Sequence, residues 1–517
     1  MHQRRLSSLM HVLTILAFAL LFWRGERPLP WTLIDDARLT LAFVVMQPVL
    51  IGLVSAWSTR RARRRLQRCA NVPESLQRSH HRVMLALRVA ALLGLGVAIF
   101  LTPWPEWFAF RRVTPALQIV GDLIVLSPFV LSLVALWLGA FPLERELRMR
   151  SLGAAPWRVG DTVRPWGLRT YLAFNLRHHV LVTAVPMMLI LLAADLTRGY
   201  ERSLQSLGGS NRTPDVLLGV AVVAVFLLSP LMICRIWHTA PLEDGALRDS
   251  LQSICNRIGL RCRDILVWHS DGMMINAAVV GLVAPLRYVL LSDGLLETMD
   301  RRQIEAVFGH EAGHVRRRHI PYFLLFALVG WLFVSGVMEL TARLSAADGS
   351  AAPLSPWMVD GISAVALLVV WGLGFGWVSR RFEREADLFG AACVAPDAAG
   401  CTLPCSVHLD DQPHGTRDPA LSSRSGRVCA SGATVFASAL DRVAVLNGIP
   451  HDERSWRHSS IGSRIRFLIS LADDPTRAGR FVRLLRRVKV AMLCATAVGL
   501  AVMAYYSTKP GGLMLLR

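Results

Sequence analysis

The stretch FGHEAGH at residues 308–314 decides how the rest of the chain is interpreted. It follows the pattern H-E-x-x-H in a sequence typical of a helix, for which Asp300 is the expected N-cap. On such a helix His310 and His314 lie one turn apart on the same face, so their imidazoles can hold one zinc ion. Glu311 then lies beside the open position of the ion. A helix with two exposed histidines is the plainer alternative, and only a third ligand from elsewhere in the chain would count against it.

The composition is that of a membrane protein. Hydrophobic residues make up 53% of the 517 residues, and the mean hydropathy is +0.41. This is too apolar for an ordinary soluble protein and indicates several membrane spans. The formal net charge of +20 comes almost wholly from arginine. Basic cytoplasmic loops explain that charge better than nucleic-acid binding does, so no nucleic acid partner is expected. The nine cysteines form no paired C-x-x-C units, so neither a disulfide framework nor a zinc ribbon is expected.

Nine apolar stretches are close to the ~20 residues that a membrane span needs. The first resembles a signal peptide, but no small-residue cleavage site follows it, so we expect an uncleaved span. The loops at 58–82 and 142–179 are rich in arginine and the alternate loops are not, which predicts a cytoplasmic N terminus and places 235–320 and 379–489 in the cytoplasm. The predicted spans are approximately 9–23, 39–57, 85–103, 117–141, 180–194, 216–234, 321–340, 359–378 and 490–506.

A few polar residues fall within or beside these spans. Arg88 and Asp122 are costly in lipid. We expect each to lie near a helix end or against a neighbouring helix, and a water-filled interior is the alternative. His178 and His179 are expected at the membrane interface, and no role is assigned to them.

The segment 241–320 is predicted to be a soluble unit of helices and short strands. The apolar spacing predicts a helix over 242–258. Residues 265–268, 274–281 and 288–291 are β-type runs, and 294–299 leads into the zinc helix.

A third zinc ligand is expected in the sequence SRRFEREAD at 379–387. Two predicted spans separate this sequence from the zinc helix, so both lie on the same side of the membrane, and a helical hairpin brings its own ends together. Glu383 can therefore reach the zinc, in preference to being a solvated juxtamembrane charge. Asp387, one turn further on, can accept a hydrogen bond from a ligating imidazole. Glu385 points elsewhere on the helix and is expected to be a solvated charge.

The segment 395–433 is rich in Gly, Ser, Pro and Asp, and its simplest interpretation is a flexible insertion. A second metal site is an alternative, although the spacing of its candidate ligands matches no common zinc pattern. Those candidates are Cys401, Cys405, His408, His414 and Cys429.

The motifs resemble those of the M48 family of membrane zinc metallopeptidases, which includes the CAAX prenyl proteases of the Ste24 type and bacterial HtpX. The resemblance covers roughly 241–470. Besides H-E-x-x-H, the run at 382–387 looks like the family's E-x-x-x-D element, and the run at 289–296 precedes the zinc helix. Asn276 and Ala277 resemble the family's substrate-aligning edge strand.

His458 and Arg464 resemble the family's late H-P-x-x-x-x-R-I element. Ser459 stands where the family usually has proline, which makes His458 the weaker of the two matches. Six predicted spans precede the catalytic unit, more than in HtpX-like or Ste24-like members, so residues 1–234 map onto neither.

The resemblance implies a multi-pass α-helical membrane protein with an α+β, gluzincin-type zinc metallopeptidase unit on the cytoplasmic side. The expected divisions are 1–234 for the N-terminal membrane region, 235–489 for the peptidase domain interrupted by two spans, and 490–517 for the last span and tail. One Zn²⁺ per chain is held by the two histidines of the motif and Glu383, and it lowers the pKa of a bound water to ~7. Glu311 is the expected general base.

Roles for the remaining motif residues follow from the same expectation. His458 or Arg464 stabilises the oxyanion, and an ion pair that orients Glu383 or Asp387 is the equal alternative for Arg464. The strand at 275–280 holds a substrate by main-chain hydrogen bonds, with a plain sheet strand as the alternative.

The expected function is endoproteolysis of membrane-associated or misfolded proteins at the cytoplasmic face of a membrane. Arginine in excess of lysine favours a bacterial host and hence the plasma membrane. The expected partners are the lipid bilayer and protein or peptide substrates. Two alternatives stay open: a membrane sensor protease of the BlaR1/MecR1 type, and an inactive membrane scaffold or channel that retains the metal site.

Overall fold

The computed structural model describes residues 2–26, 32–69, 73–109, 117–153, 167–200, 213–347, 356–396, 401, 428–447, 449–453 and 456–507. Within these residues, eight helices are long and apolar enough to cross a membrane. They coincide with the last eight of the predicted spans. The predicted span at 9–23 is a shorter apolar helix, Met10–Gly25. The chain is a multi-pass α-helical membrane protein, as the sequence predicted.

Every element described before residue 237 is helical. We call this region the N-terminal bundle. Its helices are α1 (His2–Glu26), α2 (Ala37–Leu66), α3 (Glu74–Leu101), α4 (Gln118–Gly153), α5 (Leu168–Asn175), a π-helical turn (Leu176–Leu181), α6 (Val182–Gly199) and α7 (Thr213–Ile236), with a short 3₁₀ turn at Glu106–Phe108.

Helices α2 and α4 cross closely at small residues. A Cβ atom on Gly139 would lie 2.7 Å from both the Ala56 nitrogen and the Ser55 Oγ. The Ser55 hydroxyl donates to the Leu136 carbonyl at 2.8 Å, so it ties the two helices together. Small residues let backbones approach in this way where lipid supplies no hydrophobic driving force between helices.

Four polar residues that lie within or beside the predicted spans are buried in the bundle. Arg88 is 3% exposed and Asp122 is 5% exposed, and Asp122 accepts a hydrogen bond from Gln118 at 2.8 Å. His178 and His179 lie in the π-helical turn and are also buried. His178 stacks against Trp237 and Trp268, which follow the bundle in the sequence.

A four-stranded sheet follows the bundle, in the order β1-β2-β4-β3. Strands β2 and β4 are parallel, and β1 and β3 pair antiparallel with β2 and β4 respectively. The order puts β3 at an edge. The strands are β1 (Thr239–Pro241), β2 (Asp264–Trp268), β3 (Ala277–Val280) and β4 (Tyr288–Ser292).

Helices carry the rest of the described chain. The expected zinc helix begins after Asp300, whose side chain forms a capping box with Gln303. The helices are α8 (Ala246–Ile258), α9 (Asp293–Thr298), α10 (Arg301–Arg316), α11 (His319–Ala347), α12 (Pro356–Leu368), a π-helical turn (Val369–Phe375), α13 (Gly376–Cys393), α14 (Ala430–Leu446), α15 (Ile461–Asp473) and α16 (Pro475–Ser507). A short 3₁₀ turn at Ala284–Leu286 precedes β4. One core joins α8, the sheet and helices α10, α13, α14 and α15.

Candidate metal centre

The site is built where α10 crosses α13. Glycines allow the two backbones to approach: a Cβ atom on Gly309 would lie 2.8 Å from the Cys393 Cβ, and one on Gly313 would lie 3.1 Å from the Phe389 Cβ. On the opposite helix, a Cβ atom on Gly390 would lie 3.0 Å from the His310 nitrogen. This close crossing brings the H-E-x-x-H motif against the E-x-x-x-D sequence.

Three predicted ligands converge at the crossing. The Nε2 atoms of His310 and His314 are 3.3 Å apart. Each lies 3.7 Å from a carboxylate oxygen of Glu383, His310 from Oε2 and His314 from Oε1. Tetrahedral zinc with nitrogen at ~2.0–2.1 Å separates its ligand atoms by ~3.4 Å, so the spacing fits zinc. Within the described ranges, this is the one group of three or more histidine, cysteine or acidic side chains that are close enough to share a metal ion.

His310 is supported from behind by an acidic residue and a cation. Its Nδ1 lies 3.0 Å from the Asp387 Oδ1, and Asp387 is fully buried. The Arg464 guanidinium binds the same carboxylate through Nε at 2.9 Å and through a second nitrogen. Burial alone would lower the pKa of His310, but the contact with Asp387 raises it above its usual value. Burial also opposes the charge of Arg464, and Asp387 nevertheless raises the pKa of that guanidinium.

His314 has a different support, which the sequence analysis missed. Its Nδ1 is 2.9 Å from the Nδ1 of His319, the first residue of α11. His319 in turn reaches Glu385 at 2.9 Å. Glu385 was expected to be a solvated charge, and this was wrong: its side chain is only 14% exposed and is paired with Lys489 at 2.7 Å. Burial lowers the pKa of His314, because a charged ring is disfavoured there.

The late motif lies beside the same ligands. The Nδ1 of His458 is 2.9 Å from the Glu383 Oε2, and the side chain is 32% exposed. Arg464 is only 8% exposed, and its nearest approach to Glu383 is 3.8 Å. Arg464 therefore forms an ion pair with Asp387, which is one of the two roles that the sequence analysis expected for it.

A cavity of about 1070 Å³ opens onto this crossing. Glu311 lines it, together with Asn276 and Ala277 at the start of the edge strand β3. The backbone of Asn276 is fixed by Ser292 of β4, since its N–H donates to the Ser292 Oγ at 2.9 Å. The cavity is also lined by residues of the N-terminal bundle, among them His11, Phe174, His178 and His179.

The cysteine-containing insertion is described only at its ends. The sulfur atoms of Cys401 and Cys429 are 3.7 Å apart. Cys405, His408 and His414, the other candidates for a second metal site, lie outside the described residues.

Comparison with known proteins points to one family. Residues 241–407 match the model of peptidase family M48. The chain is 29% identical over 176 residues to a protease HtpX homolog of Pyrobaculum islandicum, covering 34% of this chain and 49% of that protein. An HtpX homolog of Aeropyrum pernix is 26% identical over 275 residues, covering 50% and 85% respectively. CAAX prenyl protease 1 of Saccharomyces cerevisiae is 31% identical over 115 residues, covering 22% and 25%.

The solved structure of S. mikatae Ste24p aligns with this chain at 13% sequence identity and a TM-score of 0.34. The alignment covers 83% of this chain and 98% of the Ste24p chain. The chain spans about half the length of the Pyrobaculum relative and a quarter of the yeast relative. The family-model match includes the two histidines of the motif and Glu383. The comparisons confirm the predicted resemblance: residues 241–407 match the model of peptidase family M48, and the similar proteins include HtpX homologs and CAAX prenyl protease 1.

Proposed function

We propose that this chain is a zinc-dependent endopeptidase of the membrane that hydrolyses peptide bonds of membrane-associated or misfolded proteins. The observation that carries the proposal is the convergence of His310, His314 and Glu383 at zinc-compatible spacing, next to a cavity that His310 and Glu311 line. A purely structural metal site needs no such acid at its edge. One Zn²⁺ per chain fits the three ligands and leaves a fourth position.

The reaction needs an activated water and a base. When bound, zinc supplies Lewis acidity, lowering the pKa of a water from ~15.7 to ~7 and polarising a carbonyl. The Glu311 carboxylate follows the ligand His310 directly in the helix and faces the same cavity. It takes the proton of the attacking water and passes it to the leaving amine.

The late motif is divided between two roles. Arg464 is engaged by the carboxylate of Asp387, so it acts by fixing that residue and, through it, the His310 ring. His458 is more exposed and lines the cavity. It is therefore the better candidate for stabilising the oxyanion, in addition to holding the Glu383 carboxylate.

The substrate class follows from the walls of the cavity. One wall comes from the sheet edge, where β3 can add an extended peptide by main-chain hydrogen bonds starting at Asn276 and Ala277. Another part of the wall consists of residues of the membrane-spanning bundle, including His178. A peptide that reaches both walls comes from a protein close to the bilayer. With the positive-inside rule, the site faces the cytoplasm.

The division of labour along the chain is part of the proposal. Residues 1–234 anchor the protein and complete the cavity, 235–489 hold the peptidase unit, and 490–517 add the last span. A bacterial plasma membrane fits the arginine-rich composition.

The test compares the wild type with Glu311→Gln, both purified as full chains in detergent and given an unfolded reporter protein. Zinc content is measured by atomic absorption and cleavage by electrophoresis. We expect about one zinc in each form and cleavage by the wild type alone, with a loss of about 10²–10⁴-fold in the variant.

Two results would contradict the proposal. Zinc in both forms with cleavage by neither favours a gated sensor protease or an inactive scaffold. A wild type that holds no zinc shows that His310, His314 and Glu383 do not form a metal site.

A further inference from the structure

We propose that His319, Glu385 and Lys489 form a buried hydrogen-bonded chain that fixes the tautomer of His314 and holds its Nε2 toward the metal. His319 is thus a positioning residue for the site. This inference rests on the proposed zinc function and deepens it, since it explains how the second histidine of the motif is prepared to bind.

The ring of His319 is held on all sides. It is fully buried and stacks on Phe382, with ring centroids 4.5 Å apart and an interplanar angle of 9°. Its Nδ1 faces the His314 Nδ1 at 2.9 Å, and its Nε2 faces the Glu385 Oε2 at 2.9 Å. The Lys489 ammonium closes the chain, with contacts of 2.9 and 2.7 Å to the two oxygens of Glu385.

The direction of each hydrogen bond follows from the groups involved. An ammonium group only donates and a carboxylate only accepts, so Lys489 donates to Glu385. The His319 Nε2 must then donate to the same carboxylate, which leaves its Nδ1 as the acceptor in the neutral ring. The His314 Nδ1 therefore donates to His319. The lone pair of the His314 Nε2 is left free, and this is the atom that lies 3.3 Å from the His310 Nε2.

The backbone before His319 supports this reading. Arg318 has φ of 57°, in the left-handed region that residues other than glycine rarely adopt. Arg318 lies between the end of α10 and the start of α11, where His319 contacts His314 in the last turn of the zinc helix. Conformations of this kind persist where the surroundings fix them, and they cluster at functional sites.

The two metal-binding histidines are then supported in parallel ways. His310 reaches a carboxylate and a cation directly, through Asp387 and Arg464. His314 reaches a second carboxylate and cation, Glu385 and Lys489, through the imidazole of His319. Partners of this type orient ligating imidazoles and raise their affinity for the metal.

The experiment measures zinc affinity by chelator competition for the full chain in detergent, with His319→Leu and His319→Asn. The Asn Oδ1 takes the position of the imidazole Nδ1 and can still accept from His314, whereas Leu cannot. We expect His319→Leu to weaken zinc binding about 10–100-fold and His319→Asn to lose clearly less. If His319 serves packing alone, the order reverses, because Leu suits a buried site against an aromatic ring better than Asn does.

His451→Leu is the matched control. His451 also pairs with a carboxylate, Asp441, at 2.6 Å, but at the exposed surface. The zinc affinity of the His451→Leu variant should equal that of the wild type. The melting temperature of each metal-free variant is recorded beside the zinc-induced rise, so that a general loss of stability is separated from a loss of binding.

A second variant protects the test against misfolding. Glu385→Gln with Lys489→Met removes the charges of this pair together, so that neither ion of the pair is left without the other. The Arg317 Nε, 3.8 Å from the Glu385 Oε1, faces the neutral amide in this variant. The Gln amide can donate as well as accept, so the tautomer of His319 is no longer fixed, and zinc affinity should fall about tenfold.

The outcomes separate the two proposals. Absence of zinc in the wild type and in His451→Leu overturns the proposed function. Zinc in the wild type with unchanged affinity in His319→Leu, or unchanged affinity in the double variant, overturns the hydrogen-bonded chain alone.

Discussion

Two helix crossings in this molecule use the same device for different purposes. In the N-terminal bundle, α2 and α4 approach at Gly139 and Ser55. In the region that matches the M48 family model, α10 and α13 approach at Gly313 and Gly390. Both rely on residues without bulky side chains to bring two backbones together.

The crossings differ in the polar groups that they bury. The α2–α4 crossing buries a neutral hydroxyl, that of Ser55, which bonds the Leu136 carbonyl. The α10–α13 crossing buries ionisable groups: His310, Glu383 and Asp387. Loss of a neutral hydrogen bond costs little stability, whereas a buried charge that has lost its partner is strongly destabilising. The first crossing sets the shape of the bundle, and the second depends on complete pairing of its charges.

The largest loss of unfolding free energy at either crossing is expected from Arg464→Leu. The change leaves the buried carboxylate of Asp387 without its cation, and an unpaired buried charge costs about 3–5 kcal/mol. The free energy of unfolding, followed by circular dichroism in a denaturing detergent, should fall by that amount, and the zinc affinity should fall with it.

Arg466→Leu is the matched control, two residues along the same helix. Arg466 is 71% exposed and faces Asp452, which is 88% exposed, at 3.7 Å. Such a surface pair is worth less than about 1 kcal/mol. Equal losses for the two arginines would show that the pairing of Asp387 is not what stabilises the α10–α13 crossing.

The sequence was sufficient to predict the parts of the site that follow from helical spacing and from the even number of membrane spans between the two motifs. The interval of four between His310 and His314 predicts one face, and the two spans before Glu383 predict the same side of the membrane. Asp300 was recognisable as an N-cap because its residue type is typical of that position.

The support of His314 could not be predicted in this way. His319 leads directly into an apolar span, so its sequence context resembles a juxtamembrane residue. Its approach to His314 depends on the left-handed backbone at Arg318, which an arginine does not signal. Lys489 lies 104 residues after Glu385, and no local pattern connects two charges that far apart. Strand β1 was also missed, because its three residues are too few for a periodic signal.

A smaller effect should come from adding one methyl group at each crossing. In Gly390→Ala the new Cβ meets the Phe436 Cε2 at 2.5 Å and the His310 nitrogen at 3.0 Å. In Gly139→Ala it meets the backbone of α2 at 2.7 Å. Each change should cost about 1–3 kcal/mol of unfolding free energy by overpacking. Only Gly390→Ala should also weaken zinc binding, because it displaces the backbone of a ligand.

Gly96→Ala controls for the methyl group itself. Its Cβ would meet no atom within 4 Å, so the change should be neutral or stabilising by up to about 1 kcal/mol. A loss of zinc affinity in Gly139→Ala equal to that in Gly390→Ala would mean that the two crossings are coupled rather than separate in purpose.

The smallest effect is expected from Ser55→Ala, which removes the one hydroxyl that joins α2 to the Leu136 carbonyl. Hydrogen bonds between membrane helices contribute about 0.6 kcal/mol on average, so the unfolding free energy should fall by roughly that amount. Ser127→Ala is the control, since the Ser127 hydroxyl bonds the Ile124 carbonyl of its own helix and joins no helices. Zinc affinity and cleavage should be unchanged in both. If Ser55→Ala lowers cleavage while Ser127→Ala does not, the α2–α4 crossing helps to shape the cavity beside His310 and Glu311 as well as the bundle.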